Sequence, residues 1–95
     1  MYIIREKFVA KPGQASKLAK LMKETMPAGT TVMTDLTGQF NTVVMETSVD
    51  DLATFEKRME DYRKDTPENQ IMMEKMKGYT QMYSFGGRQI FKIVE

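Results

Sequence analysis

Two stretches of this chain read as β-strands with apolar side chains on both faces, and that pattern limits what the chain can fold into. Successive side chains of a strand point to opposite sides. Over Tyr2 to Ala10 (YIIREKFVA), Ile3 and Val9 then fall on one side and Tyr2, Ile4 and Phe8 on the other; over Phe40 to Thr47 (FNTVVMET), Val43 and Met45 separate from Phe40 and Val44. A strand with one face in water alternates cleanly, so both faces of these strands are predicted to be covered. The 95 residues suffice for a single domain over 1–95 with one modest core. Its helices can shield one face of the sheet. The other face calls for a second copy of the sheet, which a homodimer supplies.

The remaining segments complete the plan. The first strand stops at Lys11-Pro12-Gly13, where Pro removes a ladder donor and Gly permits a turn. Ala15, Leu18, Ala19, Met22 and Met26 then recur at helical spacing until Pro27-Ala28-Gly29 ends the pattern. Thr30 to Leu36 reads as a threonine-rich edge strand, joined to Phe40–Thr47 by a three-residue Gly-containing hairpin loop at Thr37-Gly38-Gln39. Ser48, with Asp51 three positions on, is the expected cap of a second helix whose stripe is Val49, Leu52, Phe55, Met59 and Tyr62. Thr66-Pro67-Glu68 opens a short extra helix over 67–77, closed by Gly78. Strand patterns over Tyr79–Phe85 and Arg88–Val94 flank Gly86-Gly87, which is either a tight hairpin turn or a bulge in one long strand. The fold class is α+β: a ferredoxin-like β-α-β-β-α-β antiparallel sheet, first and third strands central, helices on one face.

The chain contains no Cys and no His, which removes thiol nucleophiles, disulfides, the imidazole base of a triad and the usual zinc and haem ligands. Asp50-Asp51 and Glu60-Asp61 are adjacent on helices, where neighbours diverge, so no metal site is expected. Gly86-Gly87 lacks the lysine and the following helix of a phosphate loop, and no cofactor is expected. Lys+Arg 14 against Asp+Glu 13 leaves a net charge of +1, too little to recommend nucleic acid or an anionic membrane. An RNA-recognition module shares the element order, but the third strand offers only Phe40 in place of the aromatic run such modules use, so RNA binding is not expected. No stretch approaches the roughly 20 apolar residues of a membrane span, and no signal peptide is evident; a cytoplasmic location is expected.

The opening Tyr2-x-x-Arg5 with Lys11-Pro12-Gly13, the Thr37-Gly38-x-Phe40-Asn41 hairpin leading into METSVDDLATFEKRM (Met45 to Met59), and the closing Gly87-Arg88-x-Ile90-Phe91-x-Ile93-Val94 resemble the dimeric alpha-beta barrel superfamily. Within it the sequence is most similar to antibiotic biosynthesis monooxygenase-like and NIPSNAP-like proteins. The resemblance implies a homodimer whose two sheets face each other as a barrel, with a ligand cleft between sheet and helices in each subunit. It also implies cofactor-free oxygenation of a planar aromatic substrate as the closest analogy for activity, with a non-catalytic ligand-sensing or structural homodimer as the alternative. The haem-degrading branch resembles an Asn/Trp/His site, and this chain has neither His nor Trp.

Cofactor-free oxygenation requires removing a proton from an activated phenol or ketone and holding the resulting anion beside oxygen, so donors and a positive charge in an apolar pocket suffice. Asn41 supplies an amide donor, Arg5 a fixed positive charge and Tyr83 a phenol, and these are the candidate catalytic residues. Tyr79, sharing Tyr83's strand face, offers an aromatic surface to a planar ligand. Met72, Met73 and Met76 of the extra helix, three of ten methionines, are candidates to close over the same cleft as a flexible lid. Each has a bland competitor: a turn residue at Asn41, an ion pair at Arg5, core filling by the tyrosines and methionines.

Overall fold

A computed structural model describes residues 1–95, which form four strands and three α-helices: β1 (Tyr2–Ala10), α1 (Ala15–Thr25), β2 (Thr31–Thr34), β3 (Thr42–Val49), α2 (Leu52–Tyr62), α3 (Pro67–Lys75) and β4 (Tyr83–Lys92). The sheet is antiparallel throughout in the order β2-β3-β1-β4, with the two-faced strands β1 and β3 central and the threonine-rich β2 at an edge. This is the ferredoxin-like α+β arrangement the pattern predicts.

The ladder fixes which side chains share a face. Phe8 lies opposite Val43 and Gly86, Glu6 opposite Met45 and Arg88, and Ile4 opposite Thr47 and Ile90. These side chains form the helix side. There Leu18 and Met22 of α1, spaced one helical turn apart, are fully buried against Val43, Met45 and Ala10. On the opposite face Ile3, Arg5, Lys7 and Val9 align with Val44, Glu46, Phe91, Gln89 and Phe85. No helix covers that side, and Phe85, Phe91 and Met33 stand exposed on it.

Several boundaries differ from the sequence expectation. β3 continues through Ser48 to Val49, because Val49 is buried opposite Tyr2, so Ser48 is a strand residue and Asp51 caps α2 instead. The Asp51 carboxylate accepts from Thr54 N–H at 2.7 Å, and that backbone bond, followed by the Thr54 hydroxyl, lowers its pKa. β2 ends at Thr34, and the connection to β3 takes residues 35–41 rather than three. Asp35 Oδ1 accepts Thr42 N–H at 3.0 Å and closes this loop, leaving Phe40 80% exposed. Helix α3 starts on Thr66 as expected, its hydroxyl accepting Asn69 N–H, but ends at Lys75 rather than residue 77.

The C-terminal strand is one element, and Gly86-Gly87 lies inside it. The irregularity falls earlier: Val9 pairs with Phe85 but Ala10 with Tyr83, so Ser84 is an extra residue on β4, a β-bulge. Tyr83 therefore faces the helices with Ala10, whereas Phe85, two residues on, faces the open side with Val9. Tyr79 belongs to a 3₁₀ turn (Tyr79–Gln81) begun by Gly78 in the left-handed conformation at φ +83°, not to a strand.

Candidate functional site

Glu6 is a charged residue at the centre of an otherwise apolar register, Tyr2, Ile4, Glu6, Phe8, on the helix side of a central strand. Its ladder partner on β4 is Arg88. Arg88 Nε donates to Glu6 Oε1 at 2.9 Å, and Nη2 lies 2.7 Å from the same oxygen. Both contacts land on Oε1, so Oε2 is left to receive another donor. The Arg88 guanidinium lies 5.4 Å from the centroid of the Phe55 ring on α2, a cation–π arrangement that fixes its outward side.

Aromatic rings wall the space above this pair. Phe8 meets Tyr83 at 4.7 Å between centroids, tilted by 51°, and Tyr83 meets Tyr79 at 5.9 Å. Gly86 opposite Phe8 makes the first contact possible, since a Cβ there would come within 2.9 Å of the Phe8 ring. The result is an open cleft of about 300 Å³ lined by Glu6, Phe8, Tyr79, Tyr83, Gly86, Gly87 and Arg88. On the other side of Glu6, beneath α2, is a smaller and more enclosed cavity of about 60 Å³, bordered by Ile4, Met45, Phe55, Arg58, Met59 and Tyr62. Glu6 borders both spaces.

The phenols at the two ends of this region are held protonated. Burial raises the Tyr79 pKa above 10.0, helped by Tyr83 and the Glu6 charge. Burial also raises that of Tyr62, with the Arg58 guanidinium opposing and Glu6 adding to it. At neutral pH both hydroxyls are donors, and the Glu6 carboxylate borders the space on each side. The chain holds no group of three or more acidic, His or Cys side chains arranged to bind a metal.

The sequence-predicted residues divide. Tyr79 and Tyr83 line the cleft together. Arg5 is on the open face of the sheet, its Nε 2.7 Å from Glu46 Oε2 and its guanidinium 5.3 Å from the Phe91 centroid. It borders a shallow depression of about 500 Å³ on that face with Lys7, Asp35, Gln39 and Thr42. Asn41 is exposed at φ +62°, a left-handed turn position Asn tolerates, and its carbonyl accepts Ala10 N–H at 2.8 Å. Met76 packs against the core cluster beside Tyr79, Met72 is half-buried, and Met73 is 67% exposed. No residue of α3 lines the aromatic cleft; the 3₁₀ turn that follows α3 supplies Tyr79.

Glu6, Arg88, Phe55, Arg58 and Tyr62 are the site residues the sequence reading passed over. A signal for Glu6 was present in its register, since a carboxylate between Ile4 and Phe8 on the inward face requires a partner.

The fold and this cleft define the class: an α+β protein with a four-stranded antiparallel sheet, helices on one side and a small-molecule-sized space between them. It is the fold of NIPSNAP-domain and antibiotic biosynthesis monooxygenase proteins. The crystal structure of a NIPSNAP family protein from Agrobacterium tumefaciens superposes at TM-score 0.75 and 12% identity, over 100% of this chain and 95% of that one. An uncharacterised NIPSNAP-like domain protein from Burkholderia xenovorans gives 0.74 at 18% identity, covering 98% and 85%. An antibiotic biosynthesis monooxygenase gives 0.66 at 11% identity, covering 100% of both chains. No protein-family model and no curated protein matches the sequence. At these identities the likeness is one of fold.

Proposed function

We propose that this chain is a small-molecule-binding homodimer of the dimeric alpha-beta barrel type, that its ligand is planar and aromatic, and that its chemistry is that of a cofactor-free monooxygenase. The observation that carries this reading is the cleft of about 300 Å³ walled by Phe8, Tyr79 and Tyr83 over the Glu6–Arg88 pair. Stacked or tilted rings favour a flat ligand, and a carboxylate beside a guanidinium favours a group that gives up a proton and then bears negative charge. In this scheme Glu6 removes a proton from the activated carbon or phenol, Arg88 steadies the anion, and Tyr79 donates a hydrogen bond to it. The anion passes its electrons to oxygen; a ring CH₂ becomes a carbonyl carrying one oxygen atom, and the other leaves as water with the two hydrogens.

The exposed open face supports the dimer. Ile3, Val9, Val44, Phe85 and Phe91 form an apolar surface around the Arg5–Glu46 pair, the kind of patch that marks an interface. One specific observation favours the alternative, a dimer that binds without turnover: Asn41 and Arg5, which would add anion-stabilising donors, both lie outside the cleft. Light scattering on a sizing column tests the dimer, where a stable monomer refutes it. Thermal shift with planar phenols, followed by oxygen-electrode traces, separates turnover from binding: oxygen uptake that disappears in Glu6→Gln supports the monooxygenase, and a stabilising ligand without uptake supports the binder.

A further inference from the structure

Arg58 of α2 lines the enclosed cavity together with Tyr62 and is only partly exposed. It takes part in none of the chain's ion pairs, which join Arg5 to Glu46, Lys64 to Asp61 and Arg88 to Glu6. The other charges of the site do not compensate it. Glu6 is committed to Arg88, and the Glu46 carboxylate is engaged by Arg5 across the sheet. Glu56 and Glu60 of the same helix border a separate outer groove and do not line the cavity. Glu46 also borders the cavity, but with Glu6 paired to Arg88 and Glu46 to Arg5, Arg58 is the charged side chain there without an ion-pair partner. A half-buried guanidinium that has lost water without gaining a counter-charge is a site prepared for an anion.

We infer that the ligand of the helix-side cleft carries a negative charge, a planar aromatic carboxylate or equally acidic enol, and that Arg58 receives the charged group while the ring system occupies the aromatic cleft beyond Glu6. This rests on the reading of that cleft as a small-molecule site. The bidentate geometry of a guanidinium suits a carboxylate better than a single hydroxyl, so Arg58 sets ligand class rather than taking part in proton transfer.

The test compares 1-hydroxy-2-naphthoate with 1-naphthol, which share the fused ring and phenol and differ by the carboxylate, by calorimetric titration at neutral pH. The naphthoate is expected to bind at least tenfold more tightly. In Arg58→Gln that preference should vanish, with the affinity for naphthol unchanged, and in Arg58→Lys most of it should return, which also shows that the position tolerates substitution. Equal binding of the two probes, or a preference that survives Arg58→Gln, overturns the inference and leaves the cleft reading standing. Failure of both probes to bind overturns the cleft reading and the inference with it.

Discussion

Replacing Gly86 by Ala is the sharpest probe of how the cleft is built. A Cβ at this position would lie 2.9 Å from Phe8 Cδ1 and 3.1 Å from Cε1, whereas carbon atoms rest at about 3.5 to 4.0 Å. The Phe8 ring has little freedom to retreat, because its other neighbour is Tyr83 at 4.7 Å between centroids. Overpacking of this kind costs about 1 to 3 kcal/mol, and a disturbed aromatic pair forfeits part of its roughly 0.5 to 1.5 kcal/mol. Against this, Ala in a strand interior gains about 0.5 to 1 kcal/mol over Gly in backbone entropy. The balance is a loss of about 1 to 2 kcal/mol, or roughly 5 to 15 °C in Tm for a domain this size. Thermal and urea denaturation followed by circular dichroism, at one protomer concentration throughout, would measure it in the wild type and in a Phe8→Leu background. The penalty should shrink to near zero when Leu replaces the ring. A Gly86→Ala variant as stable as the wild type, or one that loses the same amount in both backgrounds, would refute the account of Phe8 lying over a glycine.

Other outcomes can be stated more briefly. Leu18→Ala removes a fully buried side chain from the junction of α1 and the sheet, and denaturant titration should show a loss of about 2 to 5 kcal/mol. Thr66→Ala deletes the cap of α3; about 1 kcal/mol is expected, and a larger fall would mean that α3 carries tertiary contacts beyond its own first turn. Tyr62 and Tyr79 have folded pKa values raised above 10.0, so their contribution to stability is complete below pH 10 and drains away as pH rises through the higher folded values. A Tyr62→Phe, Tyr79→Phe double variant should therefore hold its stability to higher pH than the wild type in alkaline denaturation curves. Glu6→Gln leaves Arg88 without its counter-charge, so a ligand already ionised in solution should bind more tightly, measured by titration, while a neutral non-acidic aromatic keeps its affinity.

Much of the architecture was legible because it is written as contrasts between strands. β1 and β3 are apolar on both faces and β2 is threonine-rich, and burial at the centre against exposure at the edge follows from that difference. What local grammar misread, tertiary context decided. Ser48 has the chemistry of a helix cap, but the gain from burying Val49 against β1 extends the strand past it. Gly38 suggested a short hairpin, but Asp35 imitates a strand-pairing residue with its side chain and makes a longer loop self-contained. The site was less legible for a different reason. Glu6 can be placed on the inward register from β1 alone, whereas naming Arg88 as its partner requires the register of β4, which the extra residue at Ser84 shifts. Arg58 looks like one more charge on a polar helix until α2 is docked over Tyr62's side of the sheet.

That extra residue has a consequence for how such a chain can change. A sheet face is a binary assignment, and in an unbroken strand every residue's assignment is tied to its neighbours'. Ser84 resets that alternation: Tyr83 faces the helices, and beyond the bulge Gly86, Arg88 and Ile90 face the helices while Phe85, Gln89 and Phe91 face outward. Beyond the bulge it is alternate residues, not the two ends of the strand, that divide the work: Gly86 and Arg88 border the cleft, and Phe85, Gln89 and Phe91 lie on the open face. Deleting Ser84 would close the bulge into a regular ladder, with Tyr83 still opposite Ala10 under the helices and Phe85 still opposite Val9 on the open side.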